Sequence, residues 1–428
     1  MFTKKTVEDI DVKGKVALVR VDFNVPLKNG LVMDGYRIKQ ALPTIKYLIS
    51  HDAKVVLISH LGRPEGKNAM RFSLKPVAAV LERMLGVKVT FVRDCIGKPV
   101  QDAVTKMKPG KVLLLENLRF HAEEEKDDEA FAKALAKPAE LFVQDGFGVV
   151  HRKHASTDSI TRYLPSVAGF LLKKEVDTIT SVMAAPKRPL MAIIGGAKIA
   201  DKLDLIKRFI ELADIVAIGG AMGNTFLSAQ GVYTGDSLVD KDDLPLAQDI
   251  LKLADEEVKK RRFVFILPRD AVVAEKIDPE AKTRIVDFST HVVADIMNYP
   301  KRVPHSASSV AKHERILDIG PFSGSFMAGA IQQVNTVVWN GTMGVTETPA
   351  IIHGPLGPFA HGTELIIDAL LGQFGFRPFS LVGGGDTVGY IESRGLIDQF
   401  DHVSTGGGAS LELMAGRKLP GVEALEDK

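Results

Sequence analysis

Polar and basic residues follow one apolar segment after another in the first half of the sequence. Segments 16–21, 54–59, 112–115 and 141–143 are rich in valine, leucine and phenylalanine, and each runs into polar residues. The residues that could bind an anion there are His60, Arg63, Arg119 and Arg152, joined by Arg37 from a neighbouring turn, with Asp22 and Asn24 beside them. Arginine forms charge-assisted hydrogen bonds with phosphate and carboxylate groups. Several arginines at one place therefore predict an anion site, although a single arginine more often forms a surface ion pair.

The second half repeats a different pattern, in which an apolar segment leads into glycines and then into a helix. It occurs at 191–202, 215–222, 336–344, 379–388 and 402–410. In the 379–388 segment, Gly383, Gly384 and Gly385 are followed by Asp386 and Thr387. The free N–H groups of a helix start bind anions, and Asp386 could hold a divalent cation that bridges to phosphate. This pattern predicts a magnesium–nucleotide site. A glycine-rich turn with an aspartate near the helix start remains the alternative.

Lys198 and Lys202 are four residues apart and are predicted to share one face of a helix, within about its first turn. A positive charge there opposes the helix dipole by roughly 0.3–1 kcal/mol. A polyphosphate at that helix start would turn this cost into attraction. The alternative is a pair of solvated lysines that tolerate a small penalty.

The elements that position these residues follow from the alternation of apolar runs with amphipathic stretches. This alternation predicts an α/β fold with mainly parallel sheets covered on both faces. In such sheets the ligand crevice lies at the carboxyl ends of the strands. A chain of 428 residues predicts two domains. Leu172, Val176, Ile179 and Met183 follow helical spacing, so residues 171–183 are predicted to form the helix that links the domains, with hinges at its ends.

Composition excludes several classes of protein. The net charge of +2 gives no general reason to bind nucleic acid or membranes, and the single cysteine excludes an intramolecular disulfide framework. The N-terminus lacks the apolar region of a secretory signal, so a cytoplasmic location is expected.

Several residues are expected to have no catalytic role. Cys95 is expected to be inert, and His151 and His154 are expected to face an anion or to be structural. The acidic run at 123–128 is predicted to be a solvated helix start without chemistry. No P-loop motif and no dinucleotide fingerprint is present.

The motifs at 20–26, 60–64, 116–120, 195–202, 383–387 and 406–410, taken together, resemble the phosphoglycerate kinase family, and the resemblance runs essentially from end to end. It implies an α/β fold of two Rossmann-like, doubly wound parallel-sheet domains joined by a linker helix (bilobal). The implied division is a phosphoglycerate-binding domain at 1–170, a linker helix at 171–188, a nucleotide-binding domain at 189–405 and a segment at 406–428 that returns to the first domain.

The resemblance also implies reversible phosphoryl transfer between 1,3-bisphosphoglycerate and ADP, with Mg²⁺ as cofactor. The implied phosphoglycerate contacts are Asp22, Asn24, Arg37, His60, Arg63, Arg119 and Arg152. The implied nucleotide contacts are Lys198, Lys202, Gly219, Gly220, Asn340, Glu347, Gly383, Gly384, Gly385, Asp386 and Thr387. Arg37, Lys198 and Lys202 are the implied catalytic residues, Gly383, Gly406 and Gly407 supply backbone N–H groups, and Asp386 binds the metal.

No nucleic-acid or membrane partner is expected, and a monomer is expected. Thr342, Thr346 and Phe322 depart from the residues usual in this family, which leaves the choice between ATP and GTP open. Two other classes of protein remain as alternatives. One is a catalytically idle nucleotide-binding scaffold, and the other is a dinucleotide oxidoreductase, although the sequence lacks the dinucleotide fingerprint.

Overall fold

The computed structural model describes residues 2–288, 309–350 and 356–428. The chain forms two compact units. The first unit contains Met1–Ser181 and Thr405–Lys428, and the second contains Val182–Ser404. Within the described residues, every helix is too short or too polar to cross a lipid bilayer.

The first unit is built on a six-stranded sheet with the order β5-β6-β4-β1-β7-β8, in which all neighbouring strands are parallel. Its strands are β1 (Val16–Arg20), β4 (Lys54–Ile58), β5 (Val89–Val92), β6 (Val112–Leu115), β7 (Leu141–Gln144) and β8 (Ser166–Ala168), with a small hairpin of β2 (Leu27–Lys28) and β3 (Leu31–Val32). Its helices are α1 (Tyr36–Ser50), α2 (Lys75–Leu85), α3 (Lys98–Thr105), α4 (Glu129–Ala136), α5 (Phe170–Ala184), α12 (Gly407–Met414) and α13 (Pro420–Glu423), of which α5 continues into the second unit.

Both faces of this sheet are covered. Val19, Val55 and Leu57 belong to one buried cluster, whereas Leu18 and Val56, which alternate with them, belong to another. Successive side chains of a strand point to opposite faces. The alternation therefore places a hydrophobic core on each side, as in a doubly wound fold.

Strand order reverses beside β1, because β4 lies on one side of it and β7 on the other. Arg20, the last residue of β1, is in register with Ile58 of β4 and with Gln144 of β7. The segments that follow these three strands consequently leave the sheet at the same edge. This edge is where open α/β sheets bind ligands.

The C-terminal segment packs on the N-terminal segment within the first unit. The backbone N–H of Lys428 donates to the carbonyl of Thr3 at 2.9 Å, and Lys4 Nζ donates to the carbonyl of Leu425 at 3.0 Å. Gly421 N donates to the carbonyl of Val150 at 2.8 Å. These bonds hold both ends of the chain in one unit.

The second unit contains a six-stranded parallel sheet with the order β11-β10-β9-β15-β16-β17 and an antiparallel sheet with the order β13-β12-β14. Its strands are β9 (Leu190–Ile194), β10 (Ile215–Ile218), β11 (Val264–Ile266), β12 (Asp270–Ala274), β13 (Arg284–Asp287), β14 (Arg315–Ile319), β15 (Thr336–Asn340), β16 (Phe379–Gly383) and β17 (His402–Val403). Its helices include α6 (Leu203–Leu212), α7 (Gly220–Ala229), α8 (Leu244–Lys260), α9 (Pro321–Ile331), α10 (His361–Leu370) and α11 (Gly385–Ser393). The predicted fold class, two parallel-sheet α/β domains, is confirmed.

Helix α5 carries the chain from the first unit into the second. It begins at Phe170, where the N–H groups of Leu171 and Leu172 both donate to Oδ1 of Asp145, at 2.9 and 3.2 Å. Its apolar residues Leu172 and Ile179 are fully buried, which accounts for the helical spacing seen in the sequence. The first unit ends at Ser181, inside this helix.

Candidate functional site

In the first unit, a group of basic side chains gathers around Asp22 just beyond β1. Arg37 Nη1 donates to Oδ2 of Asp22 at 2.8 Å and to the carbonyl of Asn24 at 3.3 Å. The side-chain oxygen of Asn24 in turn accepts from Gly62 N at 2.9 Å, beside Arg63. Asp22 is buried, whereas Arg37 keeps 28% of its side-chain surface exposed. The carboxylate therefore orients the guanidinium without covering it.

Arg119 belongs to the same group and is held by the 3₁₀ turn Leu118–Phe120, which follows β6. Its Nη1 donates to the carbonyl of Gly62 at 2.8 Å, and its Nη2 lies 3.1 Å from Oε1 of Glu125. Arg63 and Arg152 are exposed. Among residues 2–288, 309–350 and 356–428, neither of these two has a carboxylate partner. The group thus keeps uncompensated positive charge.

Burial and the positive charge of this group lower the pKa values of three histidines. Burial, followed by Arg20, Arg119 and Arg37, holds the pKa of His60 well below its usual value. Burial and Arg152 lower the pKa of His151 to about 4, and burial with Arg119 and Arg20 lowers that of His154 to about 4. All three imidazoles are therefore neutral at pH 7. A surplus of positive charge beside neutral imidazoles favours an anionic ligand.

The imidazole of His60 has a defined tautomer. Arg20 Nη2 lies 3.3 Å from its Nδ1. A guanidinium can only donate, so Nδ1 of the neutral ring is the acceptor and the proton sits on Nε2. His60 can consequently donate one hydrogen bond from Nε2 to an anion.

Sequence reasoning missed a buried layer beneath this group. Arg20 is almost fully buried, and its Nε donates to Ser156 Oγ at 2.8 Å, while Ser156 Oγ donates to Oε1 of Glu124 at 2.6 Å. The prediction that the 123–128 run is solvated is wrong for Glu124, which is completely buried and supplies negative charge next to Arg20. The helix itself begins later, at Glu129, with Asp128 as its cap. The presence of Arg20 in an otherwise apolar strand was the sequence signal that could have revealed these buried contacts.

The start of α12 lies against the same part of the first unit. A side chain at Gly406 would place its Cβ 2.5 Å from the Phe147 ring, and one at Gly408 would place it 2.9 Å from Nε2 of His151. Glycine is needed at both positions because the helix start packs so closely. The N–H groups of Gly406 and Gly407 thus belong to the unit that carries the arginines, whereas Gly383 lies in the second unit at the end of β16.

In the second unit, three glycine loops pack directly on one another at the strand ends. Gly341 has a φ of +106°, and a Cβ there would lie 2.3 Å from the carbonyl carbon of Gly195. Gly220, with a φ of +65°, would place a Cβ 2.5 Å from Gly196 N. These glycines are required by contact between loops. In contrast, a Cβ at Gly385 would meet no atom of the described residues within 4 Å, so this backbone is open to a ligand.

Helix α11 starts directly after Gly384, which has a φ of +94°. Asp386 lies in its first turn with an exposed carboxylate that forms no hydrogen bond within the described part of the chain. The side chain of Thr387 is buried and accepts from Gly341 N at 2.7 Å, so it also joins the helix start to a glycine loop. One exposed carboxylate suits Mg²⁺, which uses one or two protein carboxylates together with phosphate and water.

The two lysines are not on one helical face, so that prediction is wrong. The 3₁₀ turn Ala200–Lys202 precedes α6, which begins only at Leu203. Oδ2 of Asp243 accepts from Ile199 N at 2.8 Å and Ala200 N at 3.1 Å, and so stabilises a separate turn. Lys198 is exposed and lies 3.7 Å from Oδ2 of Asp240.

Lys202 is held in place by three acceptors. Its Nζ donates to the carbonyl of Gly195 at 2.7 Å, to the carbonyl of Asn340 at 3.1 Å and to Oδ1 of Asn340 at 2.6 Å. Burial lowers its pKa to about 8, although Asp386 and Asp201 act in the opposite direction. The Nδ2 of Asn340 is buried and has no hydrogen-bond partner among the described residues.

A pocket of about 250 Å³ opens beside these loops. Leu238, Pro268 and Val345 contribute apolar walls, and the exposed Glu347 and Asp386 also line it. Gly219 and Gly220 form the start of α7 next to it. An apolar pocket with a few polar groups at its edge suits a planar aromatic ring joined to charged groups.

Comparison with known proteins is consistent with this geometry. The family model of phosphoglycerate kinase matches residues 7–417. The chain belongs to the phosphoglycerate kinase family. It is 47% identical over 427 residues to phosphoglycerate kinase of Moorella thermoacetica, and 45% identical over 431 residues to that of Dictyoglomus turgidum, with 100% of each chain covered.

Solved structures of phosphoglycerate kinases give the same result. The enzyme from Coxiella burnetii is 33% identical with a TM-score of 0.79, and 98% of each chain is covered. The enzyme from Pyrococcus horikoshii is 30% identical with a TM-score of 0.80, and covers 99% of this chain and 98% of its own. The family resemblance inferred from the sequence is confirmed, and the chain is a kinase of this family.

Proposed function

We propose that this kinase catalyses the reversible transfer of a phosphoryl group from 1,3-bisphosphoglycerate to Mg-ADP, which gives 3-phosphoglycerate and ATP. The observation that carries the proposal is the gathering of Arg37, Arg63, Arg119 and Arg152 around Asp22 at one edge of the first sheet. Four guanidinium groups with few carboxylate partners suit a ligand with a phosphate at one end and a carboxylate at the other.

Within this proposal, the first unit binds phosphoglycerate. Arg63 and Arg152 are exposed and would bind anionic oxygens directly. The contacts of Arg119 with the carbonyl of Gly62 and the carboxylate of Glu125 orient its guanidinium. The neutral His60 would donate from Nε2. Charge-assisted hydrogen bonds contribute on the order of 1.5–3 kcal/mol each, so a few of them are enough to hold a small ligand that carries a phosphate and a carboxylate.

The second unit binds the nucleotide in the same proposal. The base would enter the pocket beside α7, and Glu347 would contact the nucleotide at its edge. The phosphates would lie against the start of α11, near Gly383, Gly384, Gly385 and Thr387, with Lys198 and Lys202 supplying positive charge. Asp386 would hold Mg²⁺, which when bound neutralises charge on the phosphate oxygens.

The chemistry requires positioning and positive charge more than acid–base catalysis. The acceptor in the reverse direction is a carboxylate, which is already ionised at neutral pH, so no general base is needed. Arg37 and Lys198, with Lys202 and the N–H groups of Gly383, Gly406 and Gly407, would stabilise charge on the transferred group. Transfer then requires the two units to come together and exclude water.

A coupled assay tests the proposed reaction. Formation of ATP from 1,3-bisphosphoglycerate and ADP is expected to require magnesium, and parallel reactions with GDP would define the base preference that Thr342 and Thr346 leave open. Binding of ATP without turnover would instead support the idle scaffold. Small-angle scattering tests closure, because compaction is expected only when both substrates are present, and an unchanged profile would contradict it.

A further inference from the structure

A group of potential metal ligands lies at the edge of the first sheet, apart from the residues proposed to bind substrate. It consists of Asp94 and Cys95, which follow β5, and of His121, which follows the Leu118–Phe120 turn. Strands β5 and β6 are paired, with Val92 in register with Leu115. The segments that follow them therefore leave the sheet together, which brings the three side chains to one place.

The three ligand atoms are close enough to share an ion. One oxygen of Asp94, Sγ of Cys95 and one ring nitrogen of His121 all lie within 4.8 Å of one another. Nε2 of His121 is 2.9 Å from Oδ1 of Asp94. In a tetrahedral zinc site with bonds of about 2.0–2.3 Å, ligand atoms are separated by roughly 3.3–3.8 Å. Small side-chain rotations would therefore give the required separation.

The site is also accessible to a cation from solvent. Cys95 is buried, while the side chains of Asp94 and His121 are 42% and 28% exposed. An ion could thus enter from solvent past the carboxylate and the imidazole.

We propose that Asp94, Cys95 and His121 bind a divalent ion of the zinc class. The ligand set of one thiolate, one imidazole and one carboxylate is typical of Zn²⁺ and Co²⁺, and it disfavours Mg²⁺, which prefers oxygen ligands. On binding, the thiol releases its proton to solvent, and Nε2 of His121 turns from donor to ligand while Nδ1 carries the ring proton. The ion ties the end of β5 to the turn that carries Arg119.

Cobalt titration of the full chain, prepared without a histidine tag and freed of metal, tests this proposal. Cys95 is the only cysteine in the sequence, so any thiolate-to-cobalt charge-transfer band in the near ultraviolet must come from it. The expected result is this band, with the visible bands of tetrahedral Co²⁺, at one equivalent. An excess of Mg²⁺ should leave the bands in place, whereas Zn²⁺ should remove them.

Variants decide whether these three residues form the site. Cys95→Ser should abolish the charge-transfer band, and His121→Ala should weaken Co²⁺ binding by at least about 100-fold, since even outer-shell changes cost 10–100-fold. His51→Ala is the matched control, because His51 is exposed and its ring nitrogen bonds to the carbonyl of Tyr47 at the end of the same helix. If Cys95→Ser does not fold, Co²⁺ binding by His121→Ala decides whether these residues form the site. The absence of a charge-transfer band in the unaltered protein, or a band that survives in His121→Ala, would overturn the proposal.

Discussion

Nζ of Lys202 donates a hydrogen bond of 2.6 Å to Oδ1 of Asn340. Lys202 follows β9, and Asn340 is the last residue of β15, the strand beside β9 in the second sheet. These are the two strands between which the strand order reverses, where open α/β sheets bind ligands. With its other two donors on backbone carbonyls, the ammonium group is fixed at the point where the phosphates are proposed to lie.

The charge of Lys202 predicts a pH dependence of nucleotide binding. Its pKa is about 8, so raising the pH above this value removes the positive charge. Because one pH unit above the pKa leaves about a tenth of the groups protonated, affinity for Mg-ADP should fall about tenfold between pH 7 and pH 9. Arginine stays charged over this range, so Lys202→Arg should remove the fall, whereas the exposed Lys207→Arg should not. Calorimetry at both pH values measures the affinity for Mg-ADP. An equal fall in affinity in Lys202→Arg would contradict the assignment of this pH dependence to Lys202.

Arg37 should matter for turnover much more than for nucleotide binding. Arg37→Ala removes a guanidinium that Asp22 holds in a fixed orientation, so turnover should fall by about 10²–10³-fold, which corresponds to about 2.7–4 kcal/mol. Mg-ADP affinity should change little, because Arg37 lies in the first unit. The control is Arg83→Ala, on the exposed last turn of α2. Full turnover by Arg37→Ala in the coupled assay would exclude the proposed role.

A substitution at Gly385 should affect ligand binding without reducing the stability of the fold. A methyl group at Gly385 meets no atom within 4 Å in the part of the chain that the structure describes. The urea concentration at which Gly385→Ala unfolds should therefore equal or exceed that of the wild-type protein. The same methyl group would intrude on phosphates at the start of α11, and Mg-ADP affinity should fall at least about tenfold, the equivalent of about 1.4 kcal/mol. Gly329 lies within α9, and a Cβ there also meets no described atom within 4 Å, so Gly329→Ala should keep wild-type affinity. Unchanged affinity in Gly385→Ala would count against phosphate binding there.

Glu124 should be important for stability. Glu124→Gln removes a negative charge that acts on the buried Arg20, so unfolding should become easier by about 3 kcal/mol or more. Glu123→Gln is the matched control, since the carboxylate of Glu123 is exposed and should contribute little to stability. Urea denaturation followed by circular dichroism gives both values. Equal stability of the two variants would show that Glu124 is not an essential partner of Arg20.

The sequence was most informative where a residue type and a strand end coincided. Arg63, Arg119 and Asp22 each follow an apolar run, and parallel strands that end at one edge must bring such residues together. Asp386 was placed correctly near a helix start because three glycines mark where the strand ends and the helix begins.

Other features depended on contacts that local sequence does not record. The acidic run at 123–128 gives no sign that Glu124 alone turns inward, because its partner Ser156 is 32 residues away. The separation of Lys198 and Lys202 by a 3₁₀ turn depends on Asp243, which is more than forty residues further along the chain. Helical spacing alone could not reveal either contact.

The central claim is that the first unit binds phosphoglycerate and the second unit binds the nucleotide. Calorimetry on variants of two exposed residues tests this claim most directly. Arg63→Ala should weaken binding of 3-phosphoglycerate and leave Mg-ADP binding unchanged, while Lys198→Ala should do the reverse. Both side chains are exposed, so neither variant should disturb folding. If Arg63→Ala weakened only nucleotide binding, or if neither variant altered either ligand, the assignment of phosphoglycerate to the first unit and nucleotide to the second would be contradicted.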